Sequence, residues 1–392
     1  MSAHSRSIVV KNGSVLLPDG EINICDVLIE NGKISSLGTG LGADVELQAD
    51  GCTVLPGLID LHTHGICRVS TDEGTLEEYA RLEASRGTTT FYPTLFGPPE
   101  ASVQNLERYF RETDNLKTVP QIAGFRLESP YLAQTGAGVS KDLAPISTDV
   151  TGMLLDAGEG HIKIWDISPE LPGAPDCIRS LSDDGIVCSI AHTLATIEQA
   201  RRAVDSGARL VTHLFDTFEL PDITDPDPGV YPAGLVDYLL VEDRVTCEII
   251  GDGTHVHPIL VEKALRCKTP ERIAFVTDSN YGAGLPPGHY TLPGSWGNVA
   301  IDGCNKGVRM LDRNMELAGS ALTPIDGFRN AVELFNKDIA TASSVCSKTP
   351  AELMGLNKGE IAEGRDGDVI IINGGFEVQF TIAGGNIVYR KE

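Results

Sequence analysis

Gly57-Leu58-Ile59-Asp60-Leu61-His62-Thr63-His64-Gly65 completes an apolar run that starts at Val54, and ends it on two histidines two positions apart. Side chains alternate along a strand, so residues i and i+2 share a side and both imidazoles can reach one ion. A His-x-His pair by itself also fits two ordinary histidines at a strand end. It gains meaning because other metal-ligand residue types end other short apolar runs further along the chain.

The stretch from Leu55 to Gly355 alternates short apolar runs with amphipathic helical segments, the pattern of βα units around a parallel sheet. Strands are expected at Thr88–Pro93, Gln121–Leu127, Ile162–Ile167, Ile186–Ile190, Arg209–Thr212, Val245–Ile250 and Arg272–Thr277. With the run before His62 they number eight, which points to an α/β fold of the (β/α)8 TIM-type barrel class. One helix is readable in detail. Thr196 caps it with Gln199 three residues on, Ile197, Ala200, Ala203 and Val204 form its apolar face, and Gly207 ends it. A doubly wound open sheet is the other option, but no Gly-x-Gly-x-x-Gly turn opens the first helix.

The two ends differ from this middle. Ser7–Lys11, Ser14–Leu17 and Asp26–Glu30 are separated by Asn12-Gly13, Asp19-Gly20 and Asn31-Gly32, dipeptides that favour tight hairpins. Asp368–Ile372, Val378–Ile382 and Asn386–Arg390 repeat the texture around Gly374-Gly375 and Gly384-Gly385. Because domain termini commonly lie close together, both ends are expected to build one small β-sandwich. The expected division is residues 1–54 with 356–392 for that discontinuous domain and 55–355 for the barrel.

Composition narrows the function classes. The 392 residues carry 31 basic against 55 acidic side chains, a net charge of −24, which argues against nucleic acid or an anionic membrane as partner and favours a small-molecule substrate. No apolar stretch approaches the ~20 residues that span a bilayer, and Met1 to Lys11 lacks the apolar core of a secretory signal, so a cytoplasmic protein is expected. The nine cysteines are scattered without a Cys-x-x-Cys pair, as expected of reduced thiols. Cys67, three residues after His64, is the one closest in sequence to the expected site.

Function in such a barrel gathers at the C-terminal ends of the strands. The residues found there are His62, His64, Glu128, His192, His213 and Asp278. Four imidazoles and two carboxylates on one rim form the donor set of zinc or a similar divalent first-row metal, with no thiolate needed. Each taken singly also fits a helix cap or a satisfied core histidine.

Further segments sharpen the picture: Leu127-Glu128-Ser129-Pro130, Thr212-His213-Leu214-Phe215, Gly251-Asp252-Gly253-Thr254-His255-Val256-His257, Val276-Thr277-Asp278-Ser279 and Leu317-Ala318-Gly319-Ser320. With Pro56–Gly65 they resemble the amidohydrolase superfamily, and within it the family of N-acetylglucosamine-6-phosphate deacetylases. The resemblance implies that Glu128, His192 and His213 hold the main metal. It implies that His62 and His64 hold a second ion where one is present, with Glu128 bridging. It makes Asp278 the catalytic acid/base, His255 a substrate contact and the assembly a homodimer. Lys163, on a strand, is then structural, because the bridging role that a carboxylated lysine plays in other members of the superfamily falls to Glu128.

The chain departs from that family at its substrate loops. Gly136-Ala137-Gly138 stands where the deacetylases carry Gly-Ala-His, which leaves Gly138 in place of a substrate histidine. Asp216-Thr217-Phe218 stands where they carry Asn-Ala-Met, making Asp216 a further pocket residue. Glu219, Asp222, Asp225 and Asp227 follow with no arginine or lysine before Arg244, where the family has an arginine for the phosphate. Carboxylates repel a dianion that an arginine fork attracts, so an unphosphorylated sugar is expected to be the better substrate. The expected activity is metal-dependent removal of acetyl from an N-acetylated amino sugar or its phosphate. The alternatives are hydrolysis of another small N-acyl amine or cyclic amide, and a catalytically inactive barrel serving as a binding protein.

Overall fold

The structure, a computed structural model, describes residues 7–136, 142–218, 232–292 and 297–392. Its centre is a sheet of eight strands: β1 (Leu58–Thr63), β2 (Thr88–Leu95), β3 (Phe125–Leu127), β4 (Ile162–Ile167), β5 (Val187–Ile190), β6 (Leu210–Val211), β7 (Thr246–Ile250) and β8 (Ile273–Val276). Neighbours pair in parallel in chain order. A parallel bridge between Thr63 and Ser279 joins the first strand to the segment after the last, and the sheet closes into a barrel. Helices such as Leu76–Ala84, Pro99–Thr113, Ala174–Asp183 and Pro258–Lys268 intervene between strands, as a parallel sheet requires. The largest core cluster packs them on the strands through Phe91, Leu106, Phe125, Trp165, Ile178 and Val261.

The helix read from Thr196 runs Ile197–Asp205 with the expected reciprocal cap. The Gln199 amide donates to Thr196 Oγ1 at 3.3 Å, and the Thr196 amide donates to Gln199 Oε1 at 2.8 Å. Its buried side is Ala200, Ala203 and Val204, and Gly207 follows at φ 122°.

Both chain ends do meet in one sheet. Its order is Asn386–Arg390, Val378–Ala383, Val369–Ile372, Thr53–Pro56, Ile8–Leu16, Ile22–Glu30 and Lys33–Gly38, with Val45–Gln48 also paired to Ile8–Leu16. The predicted sandwich is thus hydrogen-bonded as a single sheet that forks at Ile8–Leu16 and encloses a core of its own, with Val10, Val27, Ile29, Val54, Val369 and Ile371.

One expected hairpin is absent. Ser7–Lys11 and Ser14–Leu17 are not two strands turning at Asn12-Gly13 but one strand, Ile8–Leu16, with a bulge there. Asn12 takes the left-handed conformation (φ 58°) and its amide donates to Asp26 Oδ1 at 3.0 Å. A Cβ on Gly13 would lie 2.3 Å from Val54 Cγ2. The dipeptide serves close approach of neighbouring chain rather than reversal.

A four-stranded antiparallel sheet, Gly288–Leu292, Gly297–Ile301, Val308–Met310 and Glu316–Leu317, stands between β8 and the helix Pro324–Glu333. The sequence reading did not anticipate it. Its strands are short and interrupted by Gly303 and Gly307, and it packs on a small cluster of its own, Tyr281, Leu292, Val299, Ile301, Val308 and Ala321. No helix among the described residues is long and apolar enough to cross a membrane.

Candidate functional site

The barrel seam sets the first and last residues of the site side by side. The Asp278 amide donates to the His62 carbonyl at 2.9 Å and the His64 amide to the Ser279 carbonyl at 2.8 Å. Below them Thr277 Oγ1 donates to Asp60 Oδ2 at 2.6 Å. His62 and His64 then converge as their spacing predicts: their Nε2 atoms are 3.2 Å apart.

Glu128, at the end of β3, is the centre of the set. Its Oε1 lies 2.9 Å from His192 Nε2 and 3.4 Å from His213 Nε2, and its Oε2 lies 2.9 Å from His64 Nε2 and 3.4 Å from His62 Nε2. Asp278 Oδ1 is 3.4 Å from His64 Nε2 and 3.5 Å from His62 Nε2. All six side chains expected from the strand ends come together. His62, Glu128 and His213 bring ligand atoms within 4.8 Å of one another, and so do His62, His64 and Asp278. Cys67 enters neither group, and neither does His192, which meets the set through Glu128. The stem of Lys163 passes over Gly124, at the opposite end of β3 from Glu128.

The donor chemistry fits a cation. His64 Nδ1 donates to the Thr94 carbonyl at 3.0 Å and His213 Nδ1 to the Asp216 carbonyl at 3.3 Å. Each ring commits its proton to backbone and turns Nε2 inward, the arrangement that orients a ligating imidazole. The field agrees. Burial opposes charge on His64, yet the Glu128 charge and the Asp278 hydrogen bond push its pKa up to about 10. Burial likewise opposes His213, and the Glu128 hydrogen bond carries it up to about 10. Burial also works against ionised Glu128 and Asp278, and the surrounding imidazoles hold both carboxyls well below their ordinary range. The site therefore favours positive charge between ionised carboxylates.

Backbone conformation marks the same residues. His192 (φ 43°), His213 (φ 23°) and Asp278 (φ 46°) all occupy the left-handed region, which non-glycine residues adopt at a cost of ~1–3 kcal/mol each. Each lies two residues beyond the end of its strand, at the rim.

Beneath the histidines lies a network that sequence reasoning missed. The Arg126 guanidinium is fully buried and uses all its donor nitrogens: Nε and Nη2 on Asp166 at 3.0 Å each, Nη1 on Glu248 Oε1 at 2.6 Å and on the Leu61 carbonyl at 3.1 Å, and Nη2 on Thr212 Oγ1 at 2.9 Å. The second oxygen of Glu248 faces His62 Nδ1 at 3.6 Å. The available signal was a charged residue inside an apolar strand three times over, in Phe125-Arg126-Leu127, Trp165-Asp166-Ile167 and Cys247-Glu248-Ile249.

A cavity of about 450 Å³ opens above the set, and the four-stranded sheet walls one side of it through Met310, Arg313, Glu316 and Leu317. His255 lines it, held by Asp252, whose Oδ2 is 2.7 Å from His255 Nδ1 and whose Oδ1 accepts the Thr254 and His255 amides. Burial opposes protonation of His255, and the Asp252 contact outweighs it and raises the pKa. Asp216 also lines the cavity. Gly136 comes so close to His192 that a Cβ would meet its Cε1 at 3.2 Å. Gly138, Glu219, Asp222, Asp225 and Asp227 lie outside the described residues.

Comparison with known proteins agrees with this architecture. The chain is 30% identical to an N-acetylglucosamine-6-phosphate deacetylase of Lysinibacillus sphaericus over 97% of each chain. It is 28% identical to an N-acetylgalactosamine-6-phosphate deacetylase of Escherichia coli O157:H7 over 95% of this chain and 96% of that one. Among solved structures, a mutant N-acetyl-D-glucosamine-6-phosphate deacetylase of Mycobacterium smegmatis, in complex with N-acetyl-D-glucosamine-6-phosphate, superposes with a TM-score of 0.84 at 27% identity, covering 98% of this chain and 99% of that one. The N-acetylglucosamine-6-phosphate deacetylase of Thermotoga maritima superposes with a TM-score of 0.82 at 26% identity, covering 98% and 100%. The pattern shared by the Amidohydrolase family extends over residues 53–388, from the last strand before the barrel to the final strand of the chain, and the chain belongs to that family.

Proposed function

We propose that this protein is a metal-dependent deacetylase of N-acetylated amino sugars or their phosphates. The observation that carries the reading is the convergence of four imidazole Nε2 atoms on Glu128, with Asp278 in reach of two of them, at the floor of one cavity. Glu128, His192 and His213 are proposed to hold the main ion and His62 and His64 a second, with zinc as the ion suited to nitrogen and oxygen donors. Such an ion lowers the pKa of a bound water to about 7 and polarises an amide carbonyl.

The chain's own groups supply the rest. Asp278, kept ionised by its neighbours, accepts the proton of the attacking water and delivers it to the departing nitrogen, a role worth ~10²–10⁴ in rate. His255, fixed by Asp252, which also raises its pKa, donates to the oxygen on which negative charge develops. Glu248, itself paired with Arg126, faces the ring of His62 from below at 3.6 Å. Acetate and a free amine leave.

The test is release of acetate from N-acetylglucosamine, its 6-phosphate and N-acetylgalactosamine 6-phosphate, before and after removal of metal by a chelator, with metal content measured alongside. Release that is lost with the metal and restored with it supports the proposal. Absence of release from all three by the metal-loaded protein overturns it. The domain boundary is proposed at 56/57 and 355/356, two residues beyond the 54/55 expected from sequence, because Thr53–Pro56 is a single strand of the terminal sheet; the homodimer implied by the resemblance is tested by sedimentation velocity.

A further inference from the structure

The cavity is rich in carboxylates beyond the set at its floor. Asp72, Asp142, Asp216 and Glu316 line its walls, and among the described lining residues Arg313 is the only lysine or arginine. Arg313 belongs to the four-stranded sheet, at the end of the short turn Leu311–Arg313 that connects Val308–Met310 to Glu316–Leu317. Two consecutive left-handed residues follow it, Asn314 (φ 52°) and Met315 (φ 62°).

The neighbours of Arg313 are committed to holding this turn. Arg309 donates to the Lys306 and Met315 carbonyls, and Asp312 Oδ2 accepts from the Asn298 side chain at 3.1 Å. Arg313 is not. It is exposed and has no hydrogen bond or ion pair with any described residue, in a chain with 55 acidic side chains to choose from. A guanidinium left free at the wall of a cavity, on a connection braced by other residues, is suited to an anion that arrives with the ligand.

Building on the proposed deacetylase reading, we propose that Arg313 receives the phosphate monoester of the substrate. The substrate then lies with its acetamido group at Glu128 and Asp278 and its phosphate against the four-stranded sheet. Among the described lining residues there is no lysine or arginine other than Arg313, so a dianion turned toward Asp72, Asp142 or Asp216 meets like charge at the cavity wall. The expectation from the 216–227 segment, that the phosphorylated sugar is the poorer substrate, is thereby reversed: the cation is supplied from a different part of the chain.

The experiment compares kcat and KM for N-acetylglucosamine and its 6-phosphate in the metal-loaded wild type, Arg313→Gln and Arg313→Lys. The wild type is expected to prefer the phosphate. Loss of a charge-assisted pair should raise KM for the phosphate by ~10-fold or more in Arg313→Gln, with kcat within about twofold. Values for the neutral sugar should stay unchanged, and Arg313→Lys should recover part of the loss. Equal effects on both sugars, or an unchanged KM for the phosphate, overturn the proposal. If the wild type deacetylates neither sugar, the deacetylase reading falls, and calorimetric titration with inorganic phosphate decides Arg313 separately. Binding that is lost in Arg313→Gln supports the anion site; binding that persists in the variant, or none in the wild type, overturns it.

Discussion

The amide of Asp278 donates to the carbonyl of His62 at 2.9 Å, and this bond across the barrel seam sets the proposed proton carrier beside the paired histidines. Thr277 braces the seam from below with its hydroxyl on Asp60, whose pKa burial pushes up to about 6 against the pull of that same bond. Thr277→Val keeps the shape and leaves the Asp60 carboxyl short of a buried donor. Stability should fall by ~1–3 kcal/mol. Metal content should fall with it, whereas KM should not change. Denaturant unfolding with metal analysis checks this, and a variant as stable as wild type would show that the seam does not depend on Thr277.

His192→Ala and His213→Ala should each lose most bound metal and all measurable turnover. The double variant His62→Ala/His64→Ala should lose metal beyond one equivalent. Elemental analysis of the purified proteins reads both outcomes, and a full complement in His192→Ala would exclude that residue as a ligand.

Asp278→Asn removes the proton acceptor at constant size. Turnover should drop by ~10²-fold or more while metal is retained. A loss of metal with undiminished turnover per remaining ion would make Asp278 a ligand and nothing further.

Arg126→Met leaves Asp166 and Glu248 buried without their cation. Removing one partner of a buried ion pair costs roughly 3–5 kcal/mol, and this arginine serves two carboxylates. Unfolding by urea should show at least that loss, with Arg126→Lys intermediate because an ammonium cannot reproduce the fork on Asp166. Wild-type stability in Arg126→Met would mean that the network contributes nothing net.

Glu83 offers a pH test away from the metal set. It is fully buried, accepts Thr88 Oγ1 at 2.7 Å on one oxygen and has no partner on the other, and burial pushes its pKa from the ordinary 4.5 up to about 8. Between those values the folded chain binds more protons at this site than the unfolded chain, so stability falls as pH rises through the window. Glu83→Gln should flatten that slope and be the more stable protein near pH 8. Thermal unfolding across the range from about pH 5 to about pH 9 measures it, and parallel profiles for the two proteins would rule Glu83 out as the source.

The linear chain already determined which residues stand at the rim. An apolar run of strand length must be buried, and the polar residue that follows it must lie where the strand leaves the core. His62, His64, Glu128, His192, His213 and Asp278 were legible for that reason. So was the capped helix at Thr196, whose contacts are all local. The tertiary structure alone decided what depends on strands remote in sequence being brought together. Arg126, Asp166 and Glu248 sit inside apolar strands, where a charge is costly unless paired, and only closure of the barrel shows the arginine to be the partner of both carboxylates. Asn12-Gly13 has the chemistry of a hairpin, but packing against Val54 turned it into a bulge. Arg313 carries no local mark at all, because its meaning is the cavity it faces, and that cavity exists only once the four-stranded sheet folds back over the barrel rim.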